Sequence, residues 1–118
     1  MTLAINHFGH FYLTYLLFDI IETSPEARII NVSSELHYIA PKNILEDIEC
    51  KNKSYGYLEQ YSISKIMNVL FTQELSRKLS KSKNIKTFSL HPGVVNSNFG
   101  PDLGMFKCFK IICCCMFV

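Results

Sequence analysis

Ala27-Arg28-Ile29-Ile30-Asn31-Val32-Ser33-Ser34 is a short β-branched run that closes on two serines. Ile29, Ile30 and Val32 predict a strand of the kind buried on both faces in a parallel sheet. Ser24-Pro25-Glu26, just before it, breaks whatever helix precedes. In open parallel sheets ligands sit beyond the carboxyl ends of the strands. Ser33 and Ser34 are therefore placed for chemistry, although forming a turn is the plainer role for two serines.

Working outward, residues 59–80 predict a helix. Ile63, Ile66, Met67, Leu70, Phe71, Leu75 and Leu79 recur at three and four and form its apolar stripe. Asn84 closes that helix. Ile85-Lys86-Thr87-Phe88-Ser89-Leu90 is a second strand, ended by His91-Pro92-Gly93. Proline gives up a donor there, and glycine lets the backbone approach a ligand closely, although an ordinary strand-ending turn needs no more. Strand, helix and strand make a β-α-β unit, so the two strands should be parallel and the crossover right-handed.

Upstream, residues 2–22 predict another helix. Leu3, Phe8, Phe11, Tyr12, Tyr15, Leu16, Phe18 and Ile20 spread too widely for one stripe, which predicts burial on more than one side. Asn6 sits within that apolar surface and must find hydrogen-bond partners, as a structural tie or as a site residue. His7 and His10 lack a third ligand at matching spacing and read as packing or surface residues. Residues 35–58 form a long connection with a short turn at Asn43–Glu49, and connections of that length are often functional. The fold class is α/β, a partial Rossmann-type doubly wound parallel sheet with a helix-strand-helix-strand core.

Tyr61-Ser62-Ile63-Ser64-Lys65 opens the second helix. Tyrosine and lysine four apart share one helix face. A free phenol, with a pKa near ~10, is a poor proton acceptor at neutral pH. A fixed ammonium nearby favours the phenolate, so the pair can act as a tuned acid or base. Alone the spacing is a weak signal, and two residues on a solvated helix face would show it equally. Ser62 and Ser64 are small enough to admit a neighbouring backbone or ligand.

Composition sets outer bounds. The chain has 118 residues, 48% hydrophobic and 19% charged, which suits one small packed domain rather than disorder. A net charge of +2, and lysines at 78, 81, 83 and 86 without interleaved aromatics, argue against nucleic-acid binding. Those lysines read as a solvated helix end that suits the dipole. Five cysteines, three of them consecutive at 113–115, form neither a disulfide framework nor a C-x-x-C metal motif. A reducing cytosolic setting fits, and no secretory leader is read at Met1. Residues 101–118 divide from the catalytic portion at 1–100. Their uncharged run after Lys110 has eight residues, far short of the ~20 that span a bilayer. An interfacial or palmitoylated tail, and a helix lacking its partner, both fit.

Four features stand in order: Asn6-His7-Phe8-Gly9-His10-Phe11, Asn31-Val32-Ser33-Ser34, Tyr61 with Lys65, and His91-Pro92-Gly93. Together they resemble the short-chain dehydrogenase/reductase family, and its retinol dehydrogenase branch above all. Leu70-Phe71-Thr72-Gln73-Glu74-Leu75 is similar to that branch too, and the likeness runs over roughly residues 4–100. Ser34 and Tyr61 lie 27 positions apart, and the branch carries a comparable insertion there.

The resemblance implies roles. Tyr61 would be the general acid or base at the substrate oxygen. Lys65 would lower the Tyr61 pKa and hydrogen-bond the nicotinamide ribose. Ser34 would hold the carbonyl oxygen as charge develops. Asn6 would join a proton relay through a water. Val32, Ser33, Pro92, Gly93, Val94 and Val95 would line the nicotinamide pocket, with Ser97 near the cofactor amide and Tyr61 and Lys65 also touching the cofactor. The implied cofactor is NADP or NAD, with NADP favoured. The implied substrates are alcohols or carbonyls, with retinoids or other lipid carbonyls as the branch's own. The implied location is the cytosol or the cytosolic face of the endoplasmic reticulum, with membrane-surface contact through the C-terminal tail. One departure is large. The five glycines, at 9, 56, 93, 100 and 104, include no glycine-rich turn of the kind that holds a pyrophosphate at a helix N-terminus. The competing expectation is therefore a non-enzymatic chain that binds no cofactor by itself.

Overall fold

The computed structural model describes residues 2–48, 54–82 and 84–93. A π-helical turn, Ala4–Phe8, leads into helix α1, Gly9–Glu22. Strand β1, Ala27–Val32, follows, then two short 3-10 turns at Glu35–Ile39 and Ile44–Glu46. Helix α2, Tyr57–Lys78, crosses to strand β2, Ile85–Leu90. The strands pair in parallel, with Ile29 opposite Thr87 and Val32 opposite Leu90. This is the expected partial Rossmann-type unit. A parallel pair needs a long crossover, and α2 supplies it.

Local signals explain the boundaries. The Glu59 carboxylate accepts from the Gly56 N–H at 3.1 Å and meets an otherwise orphaned donor at the start of α2. Arg77 and Lys78 close the helix, where their charge suits its dipole, and Arg77 makes a 2.8 Å pair with Glu74. Asn84 lies beyond that end. Its amide donates to the carbonyls of Glu22 and Ser24 at 3.1 and 2.8 Å, tying the close of α1 to the start of β2.

The face that α2 turns to the sheet is not the apolar stripe read from the sequence. Ser62, Ser64, Lys65, Asn68 and Thr72 are all buried there, whereas Leu70 is exposed. Alternation places Ile29, Asn31 and Ser33 of the β1 segment, with Ile85, Thr87 and Ser89 of β2, on the buried side. Polar groups meet across the interface. Asn31 donates to Thr72 Oγ1 at 2.9 Å, and Ser33 Oγ donates to the Lys65 carbonyl at 2.9 Å. Small hydroxyl and amide side chains let the helix sit close, and these buried side chains find partners across the interface.

Two burial expectations are overturned. Ile30 and Val32 are 52% and 44% exposed, because only one face of β1 is covered among the described residues. Helix α1 has no buried residue. It touches α2 through Phe11, whose ring lies 5.1 Å from that of Phe71, while Tyr12, Tyr15, Leu16 and Ile20 face outward. A broad apolar surface predicts burial only where neighbouring elements exist to supply it.

The apolar core is small. Among the described residues Ile44, Tyr55 and Ile63 form one cluster of it, with Leu3 and Met67 packed alongside. Ile63 is fully buried, so Ile63→Ala should lower unfolding stability by about 3 kcal/mol, the usual cost of lost burial plus a cavity. Urea unfolding followed by circular dichroism measures it.

Candidate functional site

Tyr61 stands in the second turn of α2, facing the end of β1. There Ser34 caps the 3-10 turn that follows, its Oγ accepting the Leu36 N–H at 3.3 Å. The Ser34 carbonyl accepts from the backbone N–H of His37 at 3.1 Å and pairs with His37 Nδ1 at 2.6 Å. Ser34 is thus fixed from both sides, and its side chain acts to lower the Tyr61 pKa. One helical turn on, Lys65 Nζ lies 5.3 Å from the Tyr61 ring centroid, within cation–π range, and donates to the Val32 carbonyl at 3.1 Å.

The electrostatics differ from expectation. Burial pushes the Tyr61 phenol above its ordinary value; the Ser34 hydrogen bond pulls it down and Tyr57 adds to the rise. Lys65 is not among the groups that lower it. Burial also holds the Lys65 ammonium below the usual lysine range. Desolvation is therefore the largest influence on the Tyr61 proton, and it acts against the lowering that the spacing to Lys65 predicts.

Asn6 lies one layer behind, in the π-helical turn. Its amide donates to Ser64 Oγ at 3.1 Å, and Ser64 Oγ donates to the Tyr61 carbonyl at 2.7 Å. Asn6 is thereby a tie to the helix that carries Tyr61. Insertions of π geometry into helices often mark functional positions. Val32 and Ser33 complete the end of β1. The Ser33 N–H donates to the Leu90 carbonyl at 2.7 Å, which brings Pro92 and Gly93 to the same end of the sheet. Gly93 has φ +79°, and a Cβ there would meet nothing within 4 Å, so this backbone is open to approach. Val94, Val95 and Ser97 lie outside the described residues, as do residues 101–118.

Sequence reasoning missed Asn68, which is fully buried, and left His7 as a packing residue although it is hydrogen-bonded in the interior. The signal was available: an amide three residues after Lys65, inside an apolar stripe, has the same need for partners as Asn6. His91 was read only as part of a turn. Its Nε2 stands 3.8 Å from Glu35 Oε2, linking the end of β2 to the turn after Ser34. Among the described residues no group of three metal-ligating side chains forms, and no helix is long and apolar enough to cross a membrane.

No family model matches the sequence. Curated relatives do. Retinol dehydrogenase 12 of Homo sapiens is 44% identical over 95 residues, covering 80% of this chain and 29% of that protein. Retinol dehydrogenase 13 of Homo sapiens is 40% identical over 105 residues, covering 89% of this chain and 31% of its own length. Over that span the chain is similar to the retinol dehydrogenases, which are short-chain dehydrogenases/reductases. It spans about three tenths of the length of these curated relatives. A crystal structure of an uncharacterized protein from Mycobacterium paratuberculosis superposes with TM-score 0.69 and 36% identity, over 82% of this retinol dehydrogenase-like chain and 35% of that one.

Proposed function

We propose that this chain carries the proton-transfer centre of an oxidoreductase that interconverts an alcohol and a carbonyl with NADP or NAD, on retinoids or other lipid carbonyls. The observation that carries the reading is the placing of Tyr61 where Ser34 acts on its phenol, with the Lys65 ammonium 5.3 Å from its ring.

The donor set suits the nicotinamide-ribose end of the cofactor. An ammonium has three N–H groups, and Lys65 commits one to Val32, which leaves donors for a ribose diol. Gly93 opens the backbone beside it. A bound nicotinamide would supply hydride exchange at the substrate carbon. Tyr61 would give its proton to the carbonyl oxygen during reduction and take it back during oxidation. Ser34 would donate to the same oxygen as negative charge builds. Asn6 would hold the helix bearing Tyr61 through Ser64. Membrane-surface contact and a place at the cytosolic face of the endoplasmic reticulum belong to this same reading.

The raised Tyr61 pKa sets opposite signs for the two directions. The phenol is the form required for reduction and is fully present below its folded pKa, so reduction should hold level from pH 6 to 8. Oxidation needs the phenolate and should climb with pH. Both can be measured after exchanging the matched stretch of human retinol dehydrogenase 12 for this chain's residues, with retinaldehyde and retinol as substrates. Rates that rise or fall together in both directions would contradict the assignment of Tyr61.

A further inference from the structure

We propose that Asn68 is a positioning residue for Lys65, holding the Val32 carbonyl that receives the lysine; this rests on Lys65 serving the reaction as proposed above. Asn68 Nδ2 donates to the Asn6 carbonyl at 3.0 Å and to the Val32 carbonyl at 3.2 Å. Val32 O is the atom that receives Lys65 Nζ. One carbonyl oxygen thus takes the catalytic helix twice, from positions 65 and 68. Its two lone pairs are both used.

The orientation of the amide is fixed by chemistry. Both carbonyls can only accept, so the group facing them must be the NH2 and the Oδ1 must face away. Oδ1 stands 3.0 Å from His7 Nδ1. An amide oxygen only accepts, so His7 must carry its proton on Nδ1. His7 is itself buried, with the rings of Phe8, Phe11 and Phe71 around it. Both N–H groups of the Asn68 amide and one lone pair of Oδ1 are then taken by residues of the Asn6 turn or of β1. The π-helical turn, strand β1 and helix α2 meet at this one side chain. If the amide is lost, the Val32 carbonyl is held by Lys65 alone, and the lysine loses the fixed acceptor that aims it.

The full 118-residue chain tests this by nuclear magnetic resonance. Ring 15N shifts should show His7 protonated on Nδ1; protonation on Nε2 alone would overturn the proposal without any variant. In Asn68→Asp the new carboxylate cannot donate to the carbonyls and lies beside Lys65, so the Lys65 titration should move up by about one unit or more. In Asn68→Leu it should move down, as an apolar group replaces a polar one. His7→Phe frees the amide to rotate and should shift Lys65 less than either, so it serves if Asn68→Leu fails to fold. A Lys65 titration unmoved in Asn68→Asp and His7→Phe, with β1 and β2 amide signals intact, would reduce Asn68 to a packing role. That result alongside an inactive Tyr61→Phe sinks only this inference; a fully active Tyr61→Phe sinks the reaction instead.

Discussion

Tyr61→Phe should lower turnover by about a thousandfold, within the range usual for a lost general acid, while leaving cofactor affinity nearly unchanged. The substitution removes one oxygen and keeps the ring. Tyr61 is about half-buried, and Lys65 stays in contact with a π face either way, so packing around the ring survives. What goes is the transferable proton and the partner of the Ser34 side chain. Ser34 retains its bond from the Leu36 N–H and the two His37 contacts, so its position should hold. A loss confined to kcat, in the retinol dehydrogenase 12 exchange described above, separates proton transfer from damage to the fold.

Lys65→Met should act differently. The expected effect is a ten- to hundredfold rise in KM for NADPH, roughly the worth of one or two hydrogen bonds from a charged group. Methionine fills the space of the stem, and the Val32 carbonyl keeps Asn68 as a donor, so stability should suffer little. The pH profile is the sharper readout. Burial and Ser34 set the Tyr61 pKa, with Lys65 absent from the causes, so Lys65→Met should leave the profile near its original position. Ser34→Ala, by contrast, should move alcohol oxidation to higher pH, because the hydrogen bond that lowers the Tyr61 pKa is lost. If Lys65→Met moves the profile and Ser34→Ala does not, the electrostatic account is reversed.

The β-α-β unit was legible because its signals are local and mutually consistent. A β-branched run, a three-four periodicity and a turn at His91-Pro92-Gly93 each imply the next element, and parallel pairing follows from the length of the crossover. The meeting of Ser34, Tyr61 and Lys65 was legible through family resemblance joined to the rule that sites sit at strand ends. The face of α2 was not. Periodicity marks where apolar residues recur, and here the buried side of the helix also carries Ser62, Ser64, Asn68 and Thr72, which score as polar. Burial of α1 and of the outer face of β1 was misjudged for a related reason. Hydrophobicity states what a surface prefers, while coverage depends on which elements pack against it, and none of the described residues cover Ile20 or Ile30. The direction of the Tyr61 shift was hidden too, since a spacing of four gives proximity to Lys65 but says nothing of desolvation.

The central claim is that Tyr61 supplies the proton that accompanies hydride transfer at this site. The most direct measurement is transfer of deuterium from 4-deuterated NADPH to retinaldehyde in the retinol dehydrogenase 12 exchange, followed by mass spectrometry, with and without Tyr61→Phe. The account predicts one deuterium on the carbinol carbon of the product from the unsubstituted chain, and about a thousandfold less product from Tyr61→Phe. Equal yields of labelled retinol from both would contradict it.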